Sequence, residues 1–158
     1  MSNAESELMT LRTKTRLEEG LRSIQAVIAE KNLATGESDD NMGDWHDNGA
    51  RDVLFQELQV LGNQEKTIQR YLASPEIIVP RQDTSTVGIG NTVDVLYQGE
   101  KSAERFTILG VPDTMTDESW ISYKTPLAQK LLGKHEGEQV IIPPNQVVTL
   151  VKILVGQF

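Results

Sequence analysis

The sequence predicts an α+β fold: an N-terminal antiparallel helical hairpin, followed by a small antiparallel β-sheet domain with one short helix. Three observations predict it. Apolar residues recur with a helical period between Leu17 and Leu72. The period breaks at Ser74-Pro75, and short β-branched or aromatic runs separated by turn signals then fill the chain to Phe158.

The first arm rests on Leu17, Leu21, Ile24 and Ile28, spaced so that they form one stripe of a helix, with Thr10 or Thr13 as its cap. From Ala34 to Asn48 the pattern stops in a polar, acidic stretch that includes Gly36, Asp39, Asp40, Gly43, Asp44 and Asp47, which reads as the turn. The second arm, from about Asp47 to Leu72, repeats the seam in Leu54, Leu58, Leu61, Ile68 and Leu72, with Glu65 standing where an apolar rung is due. Only a narrow stripe of each arm is apolar, which suits a solvated coiled coil. Proline disfavours helical geometry in the residue before it, so Ser74-Pro75 ends the arm.

Strands are expected at 77–79, 93–97, 105–109, 120–122, 140–142 and 147–155, with turns at Gly88-Ile89-Gly90-Asn91, Gln98-Gly99 and Pro143-Pro144-Asn145. Thr125 to Gly133 reads as the single helix among them, with Thr125 as N-cap, Pro126 at the first position and Gly133 as the stop. Trp120 and Phe106 read as sheet core, and Arg105, Lys130 and Lys134 as solvated. The domains are therefore placed at 1–76 and 77–158.

The chain has 158 residues, 38 % of them hydrophobic, with a net charge of −8. Residues 1–76 carry 8 Lys or Arg against 14 Asp or Glu, net −6, and residues 77–158 carry 7 against 9, net −2. Such a balance argues against gripping nucleic acid through its phosphates. There is no cysteine, which excludes disulfides and thiolate chemistry and fits a reducing compartment. No apolar run is long enough to span a bilayer, and no signal-peptide core begins the chain. A soluble, cytoplasmic protein is expected.

No constellation marks an enzyme in its own right. His46 and His135 lie far apart and neither accompanies a nucleophile pattern. Gly88-x-Gly90 is too short for a phosphate loop. Asp44-x-His46-Asp47 offers at most three metal ligands, and His46 reads as a solvated histidine. Spacing alone makes Asp44 or Asp47 a cap of the second helix, where negative charge stabilises by roughly 0.3–1 kcal/mol. The alternative is that both supply oxygen ligands to a hard cation such as Mg. Two carboxylates hold Mg weakly, so another protein would complete the site.

Three stretches together resemble the Gre transcript cleavage factors of bacterial RNA polymerase: Met9-Thr10-Leu11, the tip Gly43-Asp44-x-x-Asp47-Asn48, and Ser122-x-x-Thr125-Pro126-Leu127-Ala128-x-x-Leu131-Leu132-Gly133-Lys134 with Gly137 and Val140. The resemblance covers nearly the whole chain. It implies an antiparallel coiled coil and a C-terminal domain folded like an FKBP-type prolyl isomerase. It further implies that the C-terminal domain docks on the polymerase and that the coiled coil enters the secondary channel. There the tip acids, Asp44 and Asp47 by position, would help hold a Mg ion of the polymerase while the polymerase cleaves backtracked RNA. No cofactor would be bound stably by the chain alone, the nascent RNA 3′ end would be met only within the complex, and the free protein would be a monomer. Ser122, Lys124, Thr125 and Pro126 would lie on the surface that meets the polymerase.

The chain departs from the family's pattern at the tip. Asp47 replaces the usual Glu, Trp45 a smaller aliphatic, and Gly49-Ala50-Arg51 the usual Ala-Glu-Tyr, while Ala34-Thr35-Gly36 reads as a break in the first arm. These changes leave open a second reading, a Gre-like protein that occupies the channel and modulates the polymerase without stimulating cleavage. A third, prolyl isomerase activity, needs an aromatic-lined pocket, and aromatics are few in this half.

Overall fold

The computed structural model describes residues 5–39 and 48–158, and of 35–39 and 48 the backbone alone. In order the elements are β1 (Glu7–Thr10), α1 (Leu11–Asp39), α2 (Asn48–Leu72), β2 (Pro75–Ile78), β3 (Thr92–Tyr97) and β4 (Glu104–Leu109). A 3-10 turn (Val111–Met115), β5 (Trp120–Ser122), α3 (Pro126–Leu131), β6 (Gln139–Ile142) and β7 (Gln146–Leu154) complete the chain. They form two compact units, one of Lys14–Ser74 and one that joins the residues up to Thr13 to Pro75–Phe158.

The first unit is the hairpin. Its half-buried positions include Leu17, Leu21, Ile24 and Ile28 on α1 and Leu54, Leu58, Leu61, Glu65, Ile68 and Leu72 on α2, the seam expected from spacing. Among the described residues of this unit none is fully buried, so the arms are joined by a stripe and not by a core. The arms run antiparallel, because Gln25 Nε2 donates to Glu65 Oε1 at 3.1 Å and Lys31 Nζ reaches Glu57 Oε2 at 2.6 Å. Glu65 therefore occupies its apolar rung by bonding across the seam to Gln25.

One expectation is corrected here. Ala34-Thr35-Gly36 does not interrupt the first arm, which stays helical through Asp39. No proline intervenes, and one interior glycine costs a helix only about 1 kcal/mol relative to alanine.

The second unit holds a five-stranded sheet in the order β5-β4-β3-β7-β6. The expected antiparallel sheet is mixed, since β4 and β5 pair in parallel, Thr107 opposite Trp120 and Leu109 opposite Ser122. The reason is the link between them, which crosses over through the 3-10 turn instead of folding back as a hairpin. A separate parallel pair, β1 with β2, sets Met9 opposite Ile77 and Thr10 opposite Ile78. The sequence pattern does not show this pair. It ties the first residues of the chain to the sheet unit, whereas the sequence groups them with the hairpin.

α3 and the β-strands enclose the main core, in which Val93, Val95, Ile108, Leu131, Val148 and Leu150 are fully buried. Trp120 is buried in a smaller cluster with Ile78 and Leu109, edge-on to Phe158 at a centroid distance of 6.4 Å. Phe106 is half-buried against the main core. The turn before β3 is held by Asn91, whose buried amide accepts from Gly88 N at 2.9 Å and donates to the carbonyls of Asp83 and Leu154, each at 3.0 Å.

Candidate functional site

Of the two regions singled out from sequence, the tip acids Asp44 and Asp47 lie outside the described residues, as do Gly43, Trp45 and His46. One cross-arm contact is Lys31 with Glu57, a pair whose side chains are 30 % and 51 % exposed. Pairs this exposed stabilise weakly, and their value is in register.

The second region, Ser122 to Pro126, is fully described. Ser122 ends β5 and is buried, and its Oγ accepts from Lys124 N at 3.1 Å. Its carbonyl accepts from both Thr125 N at 3.0 Å and Thr125 Oγ1 at 2.8 Å. Thr125 Oγ1 in turn accepts from Ala128 N at 3.3 Å, the side-chain cap expected of it. Pro126 follows at the first helical position, and Gly133, with φ of 81°, takes the left-handed conformation that ends α3.

The four residues therefore divide into two kinds. Ser122 and Thr125 have their side-chain oxygens occupied within the loop, so they shape it. Lys124 and Pro126 are exposed and face solvent. Two residues that sequence reasoning missed complete the arrangement. Tyr123 is half-buried, its N–H donates to Leu109 O at 2.9 Å, and the Lys124 ammonium stands 5.7 Å from its ring centroid. Gln129 Nε2 donates to Tyr123 O at 2.7 Å. Neither belongs to a recurring pattern, and only the folded turn brings Gln129 back to the carbonyl of a residue six positions earlier.

Elsewhere the unit offers little chemistry. An open depression of about 330 Å³ is lined by Tyr97, Glu100, Glu104 and Gln146, a polar set with a single aromatic. Burial, with the charge of Glu104 adding to it, raises the Tyr97 hydroxyl above its usual range. An aromatic-lined proline pocket is not what these residues form. Arg105 is exposed as expected, but it is paired, with its guanidinium bidentate on Asp94 at 2.7 and 2.9 Å. His135 is exposed, with Nδ1 3.4 Å from Glu138 Oε2. Among the described residues no group of three or more His, Asp or Glu could hold a metal ion, and no helix is long and apolar enough to cross a membrane.

Comparison with known proteins adds four findings. Residues 82–155 match the family model described as the C-terminal part of the transcription elongation factors GreA and GreB. The chain is 27 % identical over 146 residues to the transcription elongation factor GreA of Bacillus subtilis, covering 92 % of this chain and 93 % of that protein. It is 29 % identical over 135 residues to GreA of Listeria welshimeri, covering 85 % and 84 %. Among solved structures, GreA factor homolog 1 of Thermus thermophilus aligns with 92 % of this chain and 96 % of its own at 18 % identity and a TM-score of 0.42.

Proposed function

We propose that the chain, which is similar to GreA over most of its length and to the GreA/GreB C-terminal family model over residues 82–155, is a GreA/GreB-like factor that binds bacterial RNA polymerase, inserts its helical hairpin into the secondary channel and stimulates the polymerase's own cleavage of backtracked RNA. The observation that carries this reading is the span of the likeness to GreA, which takes in 92 % of the chain and so both the hairpin and the sheet unit. A regulator needs both: a surface that docks and an arm that reaches.

In this reading the catalyst is the polymerase. Asp44 and Asp47 add carboxylates beside a Mg ion that the polymerase supplies, where hard oxygen ligands suit the metal. That ion, when bound, stabilises the charge that develops on the attacking and leaving oxygens. The chain's own contribution is placement of two negative charges by a hairpin that is itself net acidic, and an acidic arm is drawn towards a cationic channel. The loop from Ser122 to Pro126 provides the docking surface, and the protein acts in the cytoplasm as a monomer.

The test is direct. Stalled, backtracked polymerase is mixed with the protein, and both complex formation and RNA cleavage are followed. Binding with accelerated cleavage supports the proposal. Binding with unchanged or slower cleavage favours the channel-occupying modulator, for which Asp47 and Gly49-Ala50-Arg51 are the motive. Absence of binding excludes both.

A further inference from the structure

Resting on the docking role just proposed for the Ser122 to Pro126 loop, we propose that Gln129 is a positioning residue for it. It sets Lys124, standing over Tyr123, as the cation that the loop offers to a carboxylate on the polymerase.

The argument begins with what the loop leaves available. Both side-chain hydroxyls are engaged internally, Ser122 Oγ by Lys124 N and Thr125 Oγ1 by Ser122 O and Ala128 N. Ser122 is moreover buried, and donation by the Thr125 hydroxyl to a partner would require breaking a bond that holds the turn. Lys124 is the charged group that remains exposed in the loop. Among the described residues no carboxylate pairs with it. Its ammonium lies 5.7 Å from the Tyr123 ring centroid, within the range in which a ring face attracts a cation. An ammonium held over a ring loses part of its freedom before a partner arrives, which lowers the cost of binding.

The ring in turn is held by its backbone. Tyr123 N is tied to Leu109 O at 2.9 Å on the β4 side, and Tyr123 O to Gln129 Nε2 at 2.7 Å on the α3 side. The second bond is not needed by the helix. α3 is already capped by Thr125, and Gln129 N makes its own helical bond to Thr125 O at 2.9 Å. The exposed Gln129 amide thus serves the loop, fixing the peptide that joins Tyr123 to Lys124. A lysine ammonium donates three hydrogen bonds, accepts none and carries a full positive charge, so an anionic acceptor suits it best, and on a protein partner that group is a carboxylate.

The experiment measures polymerase binding and thermal midpoint for the full chain as wild type, Gln129→Met, Gln129→Arg and Lys124→Glu, at raised salt where an added surface charge is screened. Gln129→Met keeps length and removes the donor, and binding should weaken about three- to tenfold, the scale of one hydrogen bond, with the midpoint unchanged. Gln129→Arg can donate to the same carbonyl and should restore binding. Lys124→Glu should weaken it by about tenfold or more, as expected when a rim charge is reversed against an opposite charge. Wild-type affinity in Gln129→Met, failure of Gln129→Arg to restore binding, or a loss that follows a lowered midpoint would overturn the positioning role. Wild-type affinity in Lys124→Glu would overturn the carboxylate. A wild type that does not bind polymerase would overturn the docking role itself, so the two failures are distinguishable.

Discussion

The carboxylate of Asp113 accepts from both the backbone N–H of Thr10, at 3.0 Å, and its hydroxyl, at 2.8 Å, across 103 residues of chain. Its other oxygen accepts from Gly110 N at 3.0 Å. Asp113 and Thr10 are both buried, and Thr10 Oγ1 also accepts from Thr13 N at 3.2 Å, which caps α1. One buried carboxylate therefore fixes the end of β1 and the residue that starts the first helix. Asp113→Ala leaves two buried N–H groups without an acceptor and should destabilise the sheet unit by about 3 kcal/mol. Thr10→Val, which keeps the backbone bond, should cost about 1–2 kcal/mol. Urea unfolding measures both, and equal losses would contradict the assignment.

Glycines separate the two units in a second way. A Cβ at Gly110 would stand 1.7 Å from Leu8 O, a backbone atom, whereas one at Gly62 on α2 meets nothing within 4 Å. Gly110→Ala should destabilise by at least about 1–3 kcal/mol, because backbone and not a flexible side chain must move. Gly62→Ala should stabilise the hairpin by about 0.5–1 kcal/mol, since glycine is the weaker helix former. Melting curves followed by circular dichroism should shift in opposite directions.

These contacts also show what the sequence could and could not disclose. The hairpin seam was legible because a helix repeats its apolar contacts locally, and α2 ends at Leu72 as Ser74-Pro75 requires. The strands fall within a residue or two of the runs that suggested them, and Thr125, Pro126 and Gly133 behave as capping chemistry dictates. The pairing of β1 with β2 was hidden, because Glu7-Leu8-Met9-Thr10 is too short to show a period and its partner lies beyond the whole hairpin. The parallel pairing of β4 with β5 was hidden for a related reason, since strand direction depends on the crossover and not on either strand. In the loop from Ser122 to Pro126, Ser122 and Thr125 carry a recognisable pattern, but their internal engagement and the bond from Gln129 to Tyr123 O exist only once the turn is closed.

Acid should weaken the sheet through Asp94. The hydrogen bond from Arg105, more than its charge or that of Lys152, holds the Asp94 carboxyl below the usual value of 3.8. A folded-state value below the unfolded one means that the contribution is complete above 3.8 and fades as pH falls through the lower folded value. Asp94→Asn should therefore flatten the acid limb of stability against pH below about 4. Parallel loss in wild type and variant would show that the pair contributes nothing.

Glu65 tests the seam. It occupies an apolar rung and bonds to Gln25 across the hairpin. Glu65→Leu should stabilise the arms by about 1 kcal/mol, since a leucine completes the stripe and the exposed bond it replaces is weak. An unchanged or lowered midpoint would show that the Gln25 contact specifies the pairing.

The most direct measurement is cleavage of RNA by a stalled, backtracked bacterial RNA polymerase at limiting Mg. The protein is added as wild type or with Asp44→Ala and Asp47→Ala together. The account predicts faster cleavage with the wild type, lost in the double variant while binding to the polymerase is retained. Cleavage that wild-type protein leaves unchanged or slows, despite binding, would contradict it and identify a modulator that occupies the channel.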